Sequence, residues 1–228
     1  PKAKLIPRGP GEYYANITYM DAHIGRVVNW LDTQPALAAN TIIVFASDNG
    51  PVTSRWINWW EVNAYGSTGG YRGRKHLLYE GGIRVPAIIR YPQLVPAGSE
   101  TDEAVIGMDW FVTLAGLGGG KVPDDRAIDG IDISTAFTGG TLPDRDLFWA
   151  LYAADDGVTK IEYVIRRGDW KLLLDVEGTP QELYDLDEDP LEFFNLIDSE
   201  SVVVQELSAT AADILESIAN DPLRPKQD

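Results

Sequence analysis

One run in this chain admits few folds. Thr41-Ile42-Ile43-Val44-Phe45-Ala46 is continuous, apolar after its first residue and rich in β-branched side chains, and it stops at Ser47-Asp48-Asn49-Gly50-Pro51. Such a run is too short for a buried helix, and apolar residues at successive positions predict a strand covered on both faces. Strands of that kind belong to α/β sheets. Upstream, Tyr13 to Asp32 spaces Ile17, Met20, Ile24, Val27, Val28 and Leu31 at three- and four-residue intervals. That spacing predicts an amphipathic helix whose apolar stripe needs a sheet to cover. Two oxygen-bearing side chains, Asp48 and Asn49, stand just past the strand, and in open α/β sheets ligands bind outside the carboxyl ends of strands.

Residues 52–70 read as loop, with Gly66, Gly69 and Gly70, and carry Trp56, Trp59 and Trp60, three of the chain's seven tryptophans. Such a cluster either packs on the protein's own surface or forms a platform for a sugar or aromatic substrate. Val85 to Arg90 predicts a second buried strand, with Pro86 favouring an early or edge position. A helix fits Met108 to Ala115, ended by Gly116 and Gly118 to Gly120. From about Lys121 the pattern changes to short strands and turns: Leu147 to Tyr152, Glu162 to Arg167, Trp170 to Leu174 and Leu183 to Leu186 are separated by Gly157, Gly168-Asp169 and Gly178. This spacing is antiparallel in character. Val202 to Ile218 predicts a last helix with Leu207, Ile214, Leu215 and Ile218 inward. The expected architecture is an α/β portion over residues 1–120, then a connector and a small α+β module over 121–228.

Charge narrows the possible ligands. Across 228 residues, 19 Lys and Arg face 35 Asp and Glu, for a net charge of −16. This argues against a general grip on nucleic acid or on an anionic membrane surface. No apolar run approaches the length of a membrane span. The absence of cysteine excludes a disulfide framework, a zinc–thiolate site and a cysteine nucleophile within these residues. Between Tyr71 and Arg90, however, Arg72, Arg74, Lys75, Arg84 and Arg90 oppose the single acid Glu80. A basic island in an acidic chain suits a small anion, or it is neutralised by carboxylates from elsewhere.

Three segments could carry chemistry: Ser47-Asp48-Asn49-Gly50, Gly70-Tyr71-Arg72-Gly73-Arg74-Lys75-His76 and Glu80-Gly81-Gly82-Ile83-Arg84-Val85-Pro86. Asp48 and Asn49 offer hard oxygen donors suited to calcium or magnesium, although Asp-Asn-Gly is also an ordinary turn sequence. Calcium takes about six to eight oxygens, so further ligands would have to come from elsewhere. Lys75 follows a glycine-bracketed turn that lets an ammonium approach a tetrahedral oxyanion closely. His76 beside it is a candidate for proton transfer, while His23 reads as a surface or boundary residue. Arg72 and Arg74 read as structural pairs. Glu80 reads as a general base or as a structural acceptor for backbone or Arg84. Neither a Ser-His-Asp set, a Gly-x-Ser-x-Gly elbow nor a Walker-type phosphate loop is present.

Seven pieces in order resemble the carboxy-terminal part of the type I sulfatases, the formylglycine-dependent arylsulfatase family of the alkaline-phosphatase-like superfamily. They are Tyr13-Tyr14-Ala15 with Met20-Asp21 and Ile24-Gly25; Thr41 through Gly50; Arg72 through Pro86; Val105 through Gly116; Gly168-Asp169-Trp170-Lys171-Leu172; Glu182-Leu183-Tyr184-Asp185-Leu186; and Asp189-Pro190 with Asn195-Leu196. The resemblance implies the tail end of a large α/β domain followed by a small α+β subdomain, a four-stranded antiparallel sheet with a packed carboxy-terminal helix. It implies that Asp48 and Asn49 are ligands of a divalent cation, usually calcium, with magnesium as an alternative, and that Lys75 contacts the sulfate. His76, Trp56 and Trp59 are further candidate substrate contacts.

In the mechanism so implied, a hydrated formylglycine attacks the sulfur of an aryl or carbohydrate sulfate ester while metal and lysine stabilise the sulfuryl oxygens. The chain departs from that pattern: no Cys/Ser-x-Pro-x-Arg motif, the source of formylglycine, occurs in it. The family's amino-terminal Asp pair, lysine and histidine also have no match. The expectation is therefore a piece of a longer sulfatase, inactive alone, that works with an upstream part of the same polypeptide; periplasmic or secreted placement follows from the resemblance only. Two other readings stay open. One is a phosphoester hydrolase or transferase of the same superfamily, and the other is a non-catalytic carbohydrate-binding module built on the tryptophan loop.

Overall fold

The computed structural model describes residues 10–52, 65–151 and 161–221. Its packing falls into two compact units that interleave along the chain. The first comprises the described residues of Pro1–Asp48 and Pro86–Pro143, the second those of Asn49–Val85 and Asp144–Asp228. This partition by packing differs from the sequential one expected near residue 120, because residues 49–85 pack with the carboxy-terminal sheet.

In the first unit, helix α1 spans Pro10–Asp32, with Pro10 at the first position, where its missing N–H costs nothing, and Glu12 in the first turn. Its last turn is closed by Thr33, whose backbone N–H and hydroxyl both donate to the Trp30 carbonyl. A short α2, Pro35–Ala39, leads into strand β1, Ile43–Ala46. β1 pairs with β2, Ala87–Arg90, but the pairing is antiparallel, Ile43 opposite Arg90 and Ala46 opposite Ala87. The expectation of strands buried on both faces is not met in this two-stranded ribbon: Phe45 is 44% exposed and Ile88 64%. The stripe of α1 is likewise open, with Ile17, Met20 and Val27 exposed and only Leu31 buried. The physical reason is the same in both places, since among the described residues no further strand flanks the ribbon and no sheet covers the helix.

The core of this unit lies after β2. Ile133, Ala136, Phe137 and Leu142 pack with Ile89, Leu94, Val105 and Trp110. Helix α4, Asp109–Leu117, is anchored by its first residue: the fully buried Asp109 carboxylate accepts the N–H groups of Ile106 at 2.9 Å and Ile131 at 3.0 Å. Thr113 accepts the Ile133 N–H at 3.0 Å, tying the helix to the segment that supplies the core. The helix runs through Gly116, the first of the expected stop residues, and ends at Gly118 and Gly119, its last residue Leu117 standing two beyond the expected last position.

The second unit contains a four-stranded antiparallel meander in the order β3-β4-β5-β6: Asp146–Ala150, Tyr163–Arg167, Trp170–Leu174 and Pro180–Asp185. Helix α5, Ser201–Asn220, covers one face. There Ile165, Leu172, Leu174 and Leu183 meet Leu207 and Ala211, which is the amphipathic packing expected of the last helix. The opposite face carries Val164, Leu173 and Tyr184, and Leu78 with partly buried Tyr79 and Ile83 packs on it. β5 is therefore buried on both sides, which accounts for its near-continuous apolar run Trp170-Lys171-Leu172-Leu173-Leu174. Gly168, at φ 57°, makes the two-residue turn into β5 without steric cost. Arg167 forks onto Asp146 at 2.7 and 2.9 Å and reaches Thr210 of α5 at 2.9 Å, locking strand, neighbour and helix together.

Among the described residues no helix is long and apolar enough to cross a membrane. Leu172 is fully buried between sheet and α5, so Leu172→Ala should cost about 2–5 kcal/mol in urea denaturation. Exposed Phe193→Ala should shift stability by less than about 0.5 kcal/mol.

Candidate functional site

The candidate segments of the second unit are tied together through their backbones. The Gly50 N–H donates to the Gly82 carbonyl at 2.8 Å, the Lys75 N–H to Pro51 at 3.0 Å, and the Gly81 N–H to Arg72 at 2.6 Å. Glycine is required at these crossings. A Cβ on Gly50 would overlap the Gly81 carbonyl, and one on Gly81 would press on the carbonyl oxygens of Tyr71, Arg72 and Gly73. The single helical turn α3, Glu80–Ile83, is thus the crosspiece on which both Asn49-Gly50-Pro51 and the basic turn rest. His76 is held at φ 72°, an uncommon backbone conformation for a non-glycine residue, immediately after Lys75.

Asp48 ends the first segment of the first unit and is exposed; Asn49 opens the second unit and is half-buried. Lys75 is half-buried and His76 exposed. The structure brings the Asn49–Pro51 segment and the Lys75–His76 turn together by the hydrogen bonds above. Asp48, Asn49 and His76 each engage a partner. Trp56 and Trp59, and Trp60 beside them, lie outside the described residues. Among the described residues there is no group of three or more His, Asp or Glu able to hold a metal ion.

Most of the basic island is committed internally. Arg72 donates to Glu182 at 3.2 Å, to the Tyr184 hydroxyl at 2.6 Å, to the Glu192 carbonyl at 2.9 Å and to the Tyr79 hydroxyl at 3.0 Å, and its guanidinium lies over the Tyr79 ring. Arg74 donates to the carbonyls of Gly66 and Val52. These are the structural roles expected of both arginines. Arg84 pairs with Glu80 at 3.7 Å and covers the Tyr71 ring, and Arg90 pairs with Asp32. Among the described residues, Lys75 is the one cation of the island whose side chain forms no ion pair or hydrogen bond with the protein. Burial, reinforced by hydrogen bonding to Glu182, pushes the Tyr79 and Tyr184 hydroxyls well above the ordinary phenol value, so both remain proton donors.

Glu80 is a buried structural acceptor, in agreement with one of its two sequence readings, and its main partner lies far away in the sequence. Lys171 on β5 is fully buried and reaches Glu80 Oε1 at 2.8 Å and Glu192 Oε1 at 2.7 Å. The second contact is a close charge pairing without hydrogen-bond geometry. Glu192, at φ 59°, receives the Glu80 N–H on Oε2 at 2.7 Å. The sequence signal available was Lys171 itself, a charge inside an apolar strand, on the parity that faces Leu78 and not α5. Burial pushes the Glu192 carboxyl above the usual carboxylate range, and the Lys171 ammonium pulls it part of the way back.

The family model described as Sulfatase matches residues 7–120, and one described as N-sulphoglucosamine sulphohydrolase, C-terminal, matches residues 69–220. The chain belongs to the sulfatase family. Human steryl-sulfatase is 40% identical over 129 residues, covering 57% of this chain and 22% of that protein. The N-acetylgalactosamine-6-O-sulfatase of Bacteroides thetaiotaomicron is 31% identical over 242 residues, covering 93% of this chain and 45% of that protein. Among solved structures, a protein in complex with its substrate D-glucosamine-2-N,6-O-disulfate superposes with a TM-score of 0.68 at 28% identity, over 94% of this chain and 42% of that one. The protein Ps i-CgsB superposes with a TM-score of 0.75 at 26% identity, covering 94% of this chain and 44% of that one. This sulfatase chain thus spans less than half the length of the relatives it matches. The fold expectation, a mixed α/β chain with a four-stranded antiparallel sheet and a carboxy-terminal helix, agrees with these neighbours.

Two outcomes test the site's construction. Gly81→Ala should lower the thermal midpoint and expose the Gly81 and Gly50 amides to rapid hydrogen exchange, because the neighbouring atoms are backbone and cannot move aside cheaply. The second concerns pH. Between the ordinary carboxylate value of 4.5 and the raised value at Glu192, the folded protein keeps a proton that the unfolded chain has lost. Stability linked to Glu192 therefore declines as pH rises through that window. In urea titrations the advantage of the native protein over Glu192→Gln should shrink as pH rises above the ordinary carboxylate range; an advantage that grows would reverse the assignment.

Proposed function

We propose that this chain supplies part of the anion and divalent-cation site of a sulfuric ester hydrolase acting on a carbohydrate or aryl sulfate. The observation that carries the reading is the state of the basic island: four of its five cations are bound within the protein, and Lys75 has no such partner among the described residues. Its half-buried position, on a turn fixed by the hydrogen bond to Pro51, suits an ammonium held for an external tetrahedral anion. The relatives support sulfate as that anion. The neighbour bound to D-glucosamine-2-N,6-O-disulfate supports a sulfated sugar as one of the candidate substrates.

Asp48 and Asn49 are proposed to hold the divalent cation, calcium or magnesium. A carboxylate and an amide oxygen are the hard donors such an ion prefers, and they fit it as two ligands of a larger set. The cation, when bound, would withdraw charge from the sulfuryl oxygens. Lys75 binds and orients the sulfate beside it, and His76 is the candidate to exchange a proton at the departing alcohol. The remaining cation ligands and a formylglycine nucleophile are assigned to an upstream part of the same polypeptide. The open apolar stripe of α1 and the uncovered β1–β2 ribbon support such a neighbour.

Calorimetric titration of the chain with inorganic sulfate in the presence of calcium tests the reading. Lys75→Ala should weaken sulfate binding by roughly tenfold, the worth of one charge-assisted hydrogen bond. Chelation of calcium or Asn49→Ala should weaken it further. The chain alone should not turn over a chromogenic aryl sulfate, and measurable turnover would overturn the assignment of the nucleophile to another segment.

A further inference from the structure

The second unit contains a charged cluster sealed from water that none of the roles above uses. The side chains of Lys171, Glu80 and Glu192 are at most 3% exposed, and they join three segments far apart in sequence: β5, the first residue of α3, and the loop after β6. α3 is only four residues long. One helical turn does not hold itself together, and Gly81-Gly82 give it no side chains with which to pack in its middle. Leu78, Tyr79 and Ile83 pack on the sheet to either side. At Glu80 the anchoring falls to Lys171, through the carboxylate, and to Glu192, through the backbone N–H. From there a continuous path of covalent and hydrogen bonds runs along the backbone to Gly82, across to Gly50 and Pro51, and from the Pro51 carbonyl to the Lys75 N–H.

We infer that Lys171 and Glu192 are positioning residues for the anion-binding turn, fixing through Glu80 where Asn49 and Lys75 stand. The inference rests on the reading of Lys75 as a sulfate contact. Lys171 touches no anion in this scheme; it sets the height of the crosspiece on the sheet, and the glycine crossings transmit that setting because they leave no slack between backbones. A purely structural cluster would affect global stability alone.

Hydrogen exchange followed by NMR on the whole chain, combined with titration by inorganic sulfate in the presence of calcium, separates these roles. Two variants are compared, Lys171→Met and Lys171→Met/Glu192→Gln. The double variant leaves no unpaired buried charge, since Glu80 retains Arg84 and the glutamine can still accept the Glu80 N–H. The expected result is that the Gly50, Lys75 and Gly81 amides exchange roughly tenfold faster while β4 and β5 keep their protection. Sulfate affinity should fall by about fivefold or more in the same variants. Unchanged exchange at Gly50 and Lys75, or unchanged sulfate affinity in a variant whose sheet stays protected, overturns the inference. Lys75→Ala provides the separate control: if it leaves sulfate affinity intact, the reading of Lys75 fails, whereas the exchange result at Gly50 does not depend on it.

Discussion

The burial of one ammonium governs the carboxy-terminal unit. Lys171 lies in the central part of the sheet at zero exposure, with a carboxylate on each side at 2.7 and 2.8 Å. Removing an ion from water costs several kcal/mol, and mutual attraction in the interior offsets that only when geometry is good. Apolar side chains of similar volume would hold β5 to its neighbours as well or better. They would not, however, select one position for the α3 backbone. A directional contact from Lys171 to Glu80, with Glu192 holding the adjacent N–H, does so.

That selection matters because of how closely the chain approaches itself just beyond. Gly50, Gly81 and Gly82 cross at distances where a single methyl group would collide with carbonyl oxygen. The same approach that fixes the Asn49 and Lys75 segments makes them intolerant of displacement. Rigid packing of this kind at Gly50 coexists with an unusual backbone at His76, one residue beyond the lysine. Strain of that sort persists only where surrounding bonds over-determine the chain, and here the Lys75 N–H to Pro51 and Leu77 N–H to Arg74 bonds flank it on both sides.

Local periodicity made much of this legible. The three long helices, the four strands of the meander and the glycine stop after α4 follow from spacing and turn chemistry within short windows, and each lies within a few residues of its expected place. What depends on distant segments was not legible. Thr41 to Ala46 reads as a strand, but its antiparallel partner and its open faces are set by chain neighbours that a local run does not encode. At the candidate site, Asp48, Asn49 and Lys75 are proposed from chemistry that is local in the chain, and the internal contacts of Arg72 and Arg74 agree with their reading as structural residues. The Lys171–Glu192 cluster is not legible locally: a lysine inside an apolar strand signals only an unusual position, and its partner Glu80 is 91 residues from Lys171 and 112 from Glu192.

The charge distribution gives the proposed cation a physical role. The chain carries −16; three of the five cations of its basic island pair with Glu182, Glu80 and Asp32, and Arg74 is taken up by backbone carbonyls, which leaves Lys75 for an external anion. One remaining ammonium near a protein this acidic offers an anion only a weak, salt-screened attraction, on the order of 1 kcal/mol at 4 Å in water. A doubly charged ion at Asp48 and Asn49 would reverse the sign of the local field, and it would do so without adding arginines whose planar forks would compete for the same carboxylates. On this view the neutralised island does not waste basic residues. Arg72, Arg74 and Arg84 hold a rigid cradle together, and in the proposed site the charge that would meet an anion is divided between Lys75 and the cation.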